Sequence, residues 1–140
     1  MSLAFDINWI AVIIAAVASM AIGYVYYLPN VLGARWQKLM GRDMTGTQGA
    51  AMSYAMTAVA ALVAAFVVAQ LIHWIGGDAY SIVGGAWVGA VGWLGFTATS
   101  SFSDYVFSGR PWALFSIQNG YQLISFVVMG AIIGALPPAA

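Results

Sequence analysis

Side chains able to do chemistry are scarce in this chain. Four basic residues, four acidic residues, one His and no Cys stand among 140. They are densest between Trp93 and Gly134, where Asp104, Arg110, Gln118, Asn119 and Gln122 follow a run of Thr97, Thr99, Ser100, Ser101 and Ser103. Asp104 and Arg110 are separated by a turn containing Gly109. They could close a hairpin, either as an ion pair or by an Arg bond to a helix-end carbonyl, or they could hold a proton or ion at the mouth of a path. A carboxylate near a helix C-terminus opposes the macrodipole, so Asp104 calls for a partner or water. Gln118, Gln122 and Ser125 recur at i, i+4 and i+7, with Asn119 alongside. Amides in lipid must be hydrogen-bonded, so this face looks inward or toward another subunit, as interhelical glue or as ligands to a solute or ion. His73, beside Trp74, is the weak candidate for a haem or metal ligand. No second His exists to share a site, so it reads as an interfacial residue, and no cofactor or metal is expected.

The elements that must position these residues follow from composition. The chain is 63% hydrophobic and 6% charged. Soluble domains carry about 25% charged residues. Eight charges cannot cover a soluble fold of this size, whereas lipid does not penalise exposed Leu, Val or Ile. Net charge is zero, which excludes a basic nucleic-acid footprint. The absence of Cys removes disulfides, thiolate metal sites and cysteine nucleophiles together. The first apolar segment is preceded by MSLAFDIN, without Lys or Arg, and so reads as a retained span and not a cleaved signal.

Four spans are predicted, at about residues 8–27, 50–74, 80–105 and 112–136, within a single integral membrane domain covering 1–140. In the first, Trp9 marks one interface and Tyr24, Tyr26 and Tyr27 the other, while Ala16, Ser19 and Gly23 form a small-residue stripe. Pro29 ends or kinks it. Residues 29–47 carry Arg35, Lys38 and Arg42, with Leu32, Trp36, Leu39 and Met40 at helical spacing, which predicts a short amphipathic connector helix on the membrane surface. Thr47 or Gln48 begins the second span, which ends near a Gly76-Gly77-Asp78 turn. Gly85 and Gly89 form a GxxxG pair continued by Gly92; Gly130 and Gly134 form another. Both mark close helix contacts, within the chain or between copies. Pro111 suits the first turn of the fourth span. The fold class is all-α, a four-helix transmembrane bundle made of two antiparallel hairpins.

Arg35, Lys38, Arg42 and Arg110 all fall in the first and third connections. The positive-inside rule then puts both termini outside the cell membrane and the basic loops in the cytoplasm. A faint repeat, Tyr24-Val25-Tyr26 then Gly33 to Trp36 against Tyr105-Val106-Phe107 then Gly109 to Trp112, suggests two similar hairpins.

Further residues carry a resemblance. Asn8-Trp9, the run Gly23 to Trp36, Leu39-Met40-Gly41, Gly95-Phe96, Asp104-Tyr105, Phe107, Gly109-Arg110, Trp112, Phe115, Asn119-Gly120-Tyr121 and Met129 to Ile132 resemble the DUF1761 family. The resemblance implies a small four-span membrane protein of unknown function. It also implies a Ser before the proline after the first span and an Asn before the tyrosine of the third. Here Leu28 and Asp104 stand there instead.

No P-loop, nucleotide fingerprint or HExxH is present, and His73 and Asp104 fall at opposite membrane faces, so no enzyme is expected. The expected role is a structural or interaction subunit of a homo-oligomer or larger membrane complex, in contact with lipids and without nucleic acid. The alternative is a small-solute or ion transporter or channel formed by an oligomer.

Overall fold

A computed structural model of the chain describes residues 2–27, 34–40 and 50–138. Its helices are α1 (Trp9–Tyr26), α2 (Ala34–Met40), α3 (Ala50–Ile75), α4 (Ile82–Gly92), α5 (Thr99–Ser108) and α6 (Trp112–Ala135). A π-helical stretch, Trp93–Ala98, joins α4 to α5 without breaking the rod. Four helical stretches are long and apolar enough to cross a membrane: Trp9–Tyr26, Met52–Ile75, Ile82–Ser108 and Trp112–Ala135. They agree with the predicted spans to within three residues at each end. Among the described residues there is no strand.

Each span is bounded by local chemistry. Asn8 caps α1, its Oδ1 accepting from the N–H groups of Ile10 and Ala11 at 3.1 and 3.3 Å. The predicted turn after α3 is built on Gly76 and Gly77, at φ +65° and +54°, a left-handed backbone that side chains resist. Ser81 then caps α4, accepting from Gly84 N–H at 2.9 Å and donating to the Asp78 carbonyl at 2.8 Å. Gly109, at φ +70°, ends α5 with its N–H on the Tyr105 carbonyl. Pro111 stands just before α6 and its carbonyl accepts from Leu114 and Phe115. The expected breaks at Pro29 and at Thr47 or Gln48, together with Leu28, Leu32 and Arg42, lie outside the described residues.

Helix α6 is the hub, packing against α4, α1 and α3, and α4 lies along it most extensively. Glycine decides that contact. A Cβ at Gly85 would collide with the carbonyl oxygen of Gly130, and one at Gly130 with that of Gly85. Gly89 abuts the Phe126 carbonyl, and Gly134 the Ser81 carbonyl. The two GxxxG motifs therefore meet each other inside one chain, and their faces are already used. Gly92 is a correction to the predicted stripe: nothing lies within 4 Å of the place its Cβ would take. The helix rotates that position away as α4 passes into the π-helical stretch.

Across the bundle α1 and α6 lock by a reciprocal exchange. Tyr121 lies over Gly23 and donates to the Ser19 carbonyl at 3.1 Å. Tyr26 lies over Gly120 and donates to the Ile117 carbonyl at 2.6 Å. Tyr24 is exposed, as an interfacial anchor would be, but Tyr26 and Tyr27 turn inward. Ala16 and Ser19 are buried, so the small-residue stripe of α1 does serve a helix contact. The connector α2 docks on α6, with the Trp36 ring edge-on to Tyr27 at 5.5 Å and Arg35 and Lys38 exposed.

Candidate functional site

Four of the sequence-predicted polar residues converge where α5 turns into α6. Asp104, Arg110, Gln118 and Asn119 line one cavity of about 60 Å³, together with Ser101, Tyr105, Leu114 and Phe115. The Gly109 turn brings the two helix ends together, and the α6 register puts Gln118 and Asn119 one to two turns below the turn. Phe102, Tyr105, Trp112 and Phe115 form an aromatic cluster on the same hairpin, with ring centroids from 4.9 to 6.3 Å apart.

The hairpin is not closed by charge. Among the described residues Asp104 and Arg110 form neither an ion pair nor an Arg-to-carbonyl bond; both side chains are exposed, and the Gly109 N–H caps α5 instead. A left-handed glycine satisfies the helix end at no cost in ordering two long side chains, so the charged pair is left available to the cavity.

Asn119 is 5% exposed. Its Nδ2 donates to the Phe115 carbonyl at 3.0 Å, and its Oδ1 is buried without a partner among the described residues. A carbonyl can only accept, so the amide nitrogen must face Phe115 and the unpaired atom must be the oxygen. Gln118 and Gln122 are half-buried and have no side-chain partner among the described residues. Ser125 leaves this group: its hydroxyl meets Ser19 at 2.6 Å, deep between α1 and α6. The amide face of α6 thus divides, with Ser125 as interhelical glue and Gln118 and Asn119 at the cavity. Of the upstream hydroxyls, Thr99 bonds back to the Gly95 carbonyl at 2.8 Å.

His73 lies at the other end of the bundle. Its Nδ1 meets the Tyr80 hydroxyl at 3.4 Å. The Tyr80 phenol is pushed above its ordinary pKa, by burial first and by the nearby Asp6 charge second. No group of three His, Asp or Glu side chains suited to a metal occurs among the described residues.

Sequence reasoning gave no role to Gln70. It is 1% exposed, and its amide pairs with both backbone groups of Ala4: Oε1 accepts from Ala4 N–H at 2.8 Å and Nε2 donates to its carbonyl at 2.7 Å. The segment before α1 is thereby folded onto α3, with Ala4 and Ile7 buried in the core. Trp74 Nε1 adds a bond to the Ser2 carbonyl at 3.0 Å, and Asn8 Nδ2 one to the Leu136 carbonyl at 3.3 Å. The signal was available: a lone amide inside an Ala- and Val-rich span must find a partner from elsewhere.

A family model, described as a protein of unknown function (DUF1761), matches residues 10–134. The chain belongs to the DUF1761 family. The match runs from α1 to the last turn of α6, so the cavity and the glycine contact both lie on DUF1761 sequence. No curated protein and no solved structure matches the chain. What is established is therefore a multi-pass membrane protein of this family, with four apolar spans.

Proposed function

We propose that the protein is a non-enzymatic membrane subunit that associates with copies of itself through the outward face of the Trp93–Ala98 stretch and α5. The carrying observation is the poor cover of this span. Only 17% of the apolar window in Ile82–Ser108 is buried, against 39% in Trp112–Ala135. Gly95 is exposed with nothing within 4 Å of its Cβ position, and Ser100 and Ser103 are exposed without a side-chain partner among the described residues. Small and hydroxyl-bearing residues on a lipid-facing helix favour close approach by another helix, which can satisfy hydroxyls that lipid cannot. The glycine motifs supply no support for this, since Gly85, Gly89, Gly130 and Gly134 are occupied within the chain.

The chain has no Cys, so single cysteines report cleanly. In native membranes Ser103→Cys should form a disulfide-linked dimer on oxidation, whereas Val59→Cys, on the exposed side of α3, should not. Gly95→Leu should abolish the cross-link without disturbing the fold. Equal cross-linking at both positions, or none at Ser103, would defeat self-association; a different protein captured at Ser103 would point to a larger complex.

The orientation we propose has both termini outside and the connections carrying Arg35, Lys38 and Arg110 in the cytoplasm. These side chains are exposed, and an even number of spans separates their two connections. In the same cysteine set, an impermeant maleimide applied to intact cells should label Ser2→Cys and spare Ser108→Cys. The reverse pattern would invert the protein.

A second reading, a small-solute or ion transporter or channel assembled from several copies, draws its support from the cavity shared by Asp104, Arg110, Gln118 and Asn119. Under that reading Asp104→Asn abolishes flux in reconstituted vesicles; unchanged flux removes it.

A further inference from the structure

The cavity between α5 and α6 has a chemistry of its own, independent of whether copies associate. Its polar walls are of two kinds. Asp104 accepts hydrogen bonds, as can the Oε1 of the half-buried Gln118, and Arg110 only donates them. An amide oxygen without a donor at a cavity wall gains from any ligand group that brings N–H to it. A bare metal cation would satisfy the two acceptors but would be repelled by the guanidinium on the same cavity. An anion alone would suit Arg110 and be repelled by Asp104. A group carrying both signs suits both charges: an ammonium toward Asp104 and Gln118, an anion toward Arg110.

Size and place narrow the class. A volume of about 60 Å³ admits an ammonium group with little else, so the remainder of the ligand must lie at the mouth. The exposed walls of the cavity, Asp104 and Arg110, flank the Gly109 turn at the end of two apolar spans, where lipid headgroups sit. Phe115 offers an apolar and aromatic wall against which an ammonium is also favoured.

We propose that this cavity binds a primary-amine zwitterion of the phosphoethanolamine type, presented as the headgroup of a membrane phospholipid. The ammonium donates to the Asp104 carboxylate and to Gln118 Oε1, and the phosphate accepts from Arg110. Choline headgroups carry the same charges but no N–H, so they donate to neither Asp104 nor the Gln118 oxygen. Glycerol headgroups lack the ammonium. The site thereby distinguishes lipids that differ only at the headgroup nitrogen.

The test is native mass spectrometry of the full chain released from detergent, titrated separately with phosphatidylethanolamine, phosphatidylcholine and phosphatidylglycerol of identical acyl chains, and with free phosphoethanolamine. Phosphatidylethanolamine should bind at least tenfold more tightly than either other lipid. Asp104→Asn and Arg110→Gln alter exposed side chains and leave the fold intact; Asp104→Asn should reduce that preference to threefold or less, and Arg110→Gln should weaken all three lipids, since each presents a phosphate. Gln118→Leu should reduce the ethanolamine-over-choline preference, and if it fails to fold the other two variants still decide. Free phosphoethanolamine bound as tightly as the lipid, with the same dependence on Asp104 and Arg110, upholds the zwitterion site and reassigns its ligand to a soluble solute. Equal binding of the three lipids, a preference unmoved by Asp104→Asn, or affinities unmoved by Arg110→Gln overturns the proposal.

Discussion

Gly85→Val should unfold the protein and not merely separate copies of it. A side chain at Gly85 would run into the backbone carbonyl of Gly130, which cannot swing aside as a side-chain tip could. To admit it, α4 and α6 must move apart along the most extensive contact in the bundle. Overpacking of this kind costs about 3 kcal/mol or more where backbone must shift. The loss compounds, because van der Waals contact between close backbones is the main attraction between helices in lipid. The measurement is unfolding of the detergent-solubilised protein by SDS titration or heat, with helix content and Trp fluorescence as readouts. Gly92→Ala is the matched control: its Cβ meets nothing within 4 Å, and Ala is the better helix former, so stability should be unchanged or slightly raised. If Gly85→Val gave a folded monomer that had lost only its self-association, the internal pairing of the two glycine motifs would be wrong.

Gln70→Leu should release the N-terminal segment. The substitution keeps the size of the side chain but strips both hydrogen bonds from the Ala4 backbone, in a place where Gln70 is almost wholly buried. Leaving a buried backbone donor and acceptor unpaired costs about 2 to 4 kcal/mol in all, unless the segment detaches and turns to water. Detachment is the cheaper course, because among the described residues of the segment only Ala4 and Ile7 are buried in the core. The expected result is protease sensitivity before Trp9, together with changed Trp emission from loss of the Trp74 bond to Ser2. Gln70→Glu tests the same clamp differently, since a carboxylate accepts from Ala4 N–H but cannot donate to its carbonyl. Protection from protease in both variants would show that the amide is not what holds the segment.

These two positions mark how far the sequence could be read. Gly85 was legible as a close-contact residue, because small residues at i and i+4 in an apolar helix have few other uses. Its partner was not, because Gly130 and a second copy of the chain present the same motif. Asp104 and Arg110 were legible as a pair worth locating, yet closing the hairpin between them proved to be the work of Gly109. Tyr26 and Tyr27 were read as interfacial anchors from their place at a helix end, and α6 drew them inward, Tyr26 through Gly120 and Ile117 and Tyr27 against the Tyr121 ring. Gln70 was legible as a polar residue of the second span but was given no role, because its partner is a backbone that any residue at position 4 would offer.

The number of spans, their limits and the membrane character of the chain came from the residues alone. That is possible because lipid acts on each segment separately: an apolar stretch of sufficient length is stable across a bilayer whatever its neighbours. Which faces meet was settled only by the fold. Lipid exerts no hydrophobic preference among apolar helix faces, so the choice falls to backbone fit at Gly85 and Gly130 and to a few hydrogen bonds such as Ser19 with Ser125. Those are relations between positions far apart in the chain, and the cavity beside Asn119 exists only once they are made.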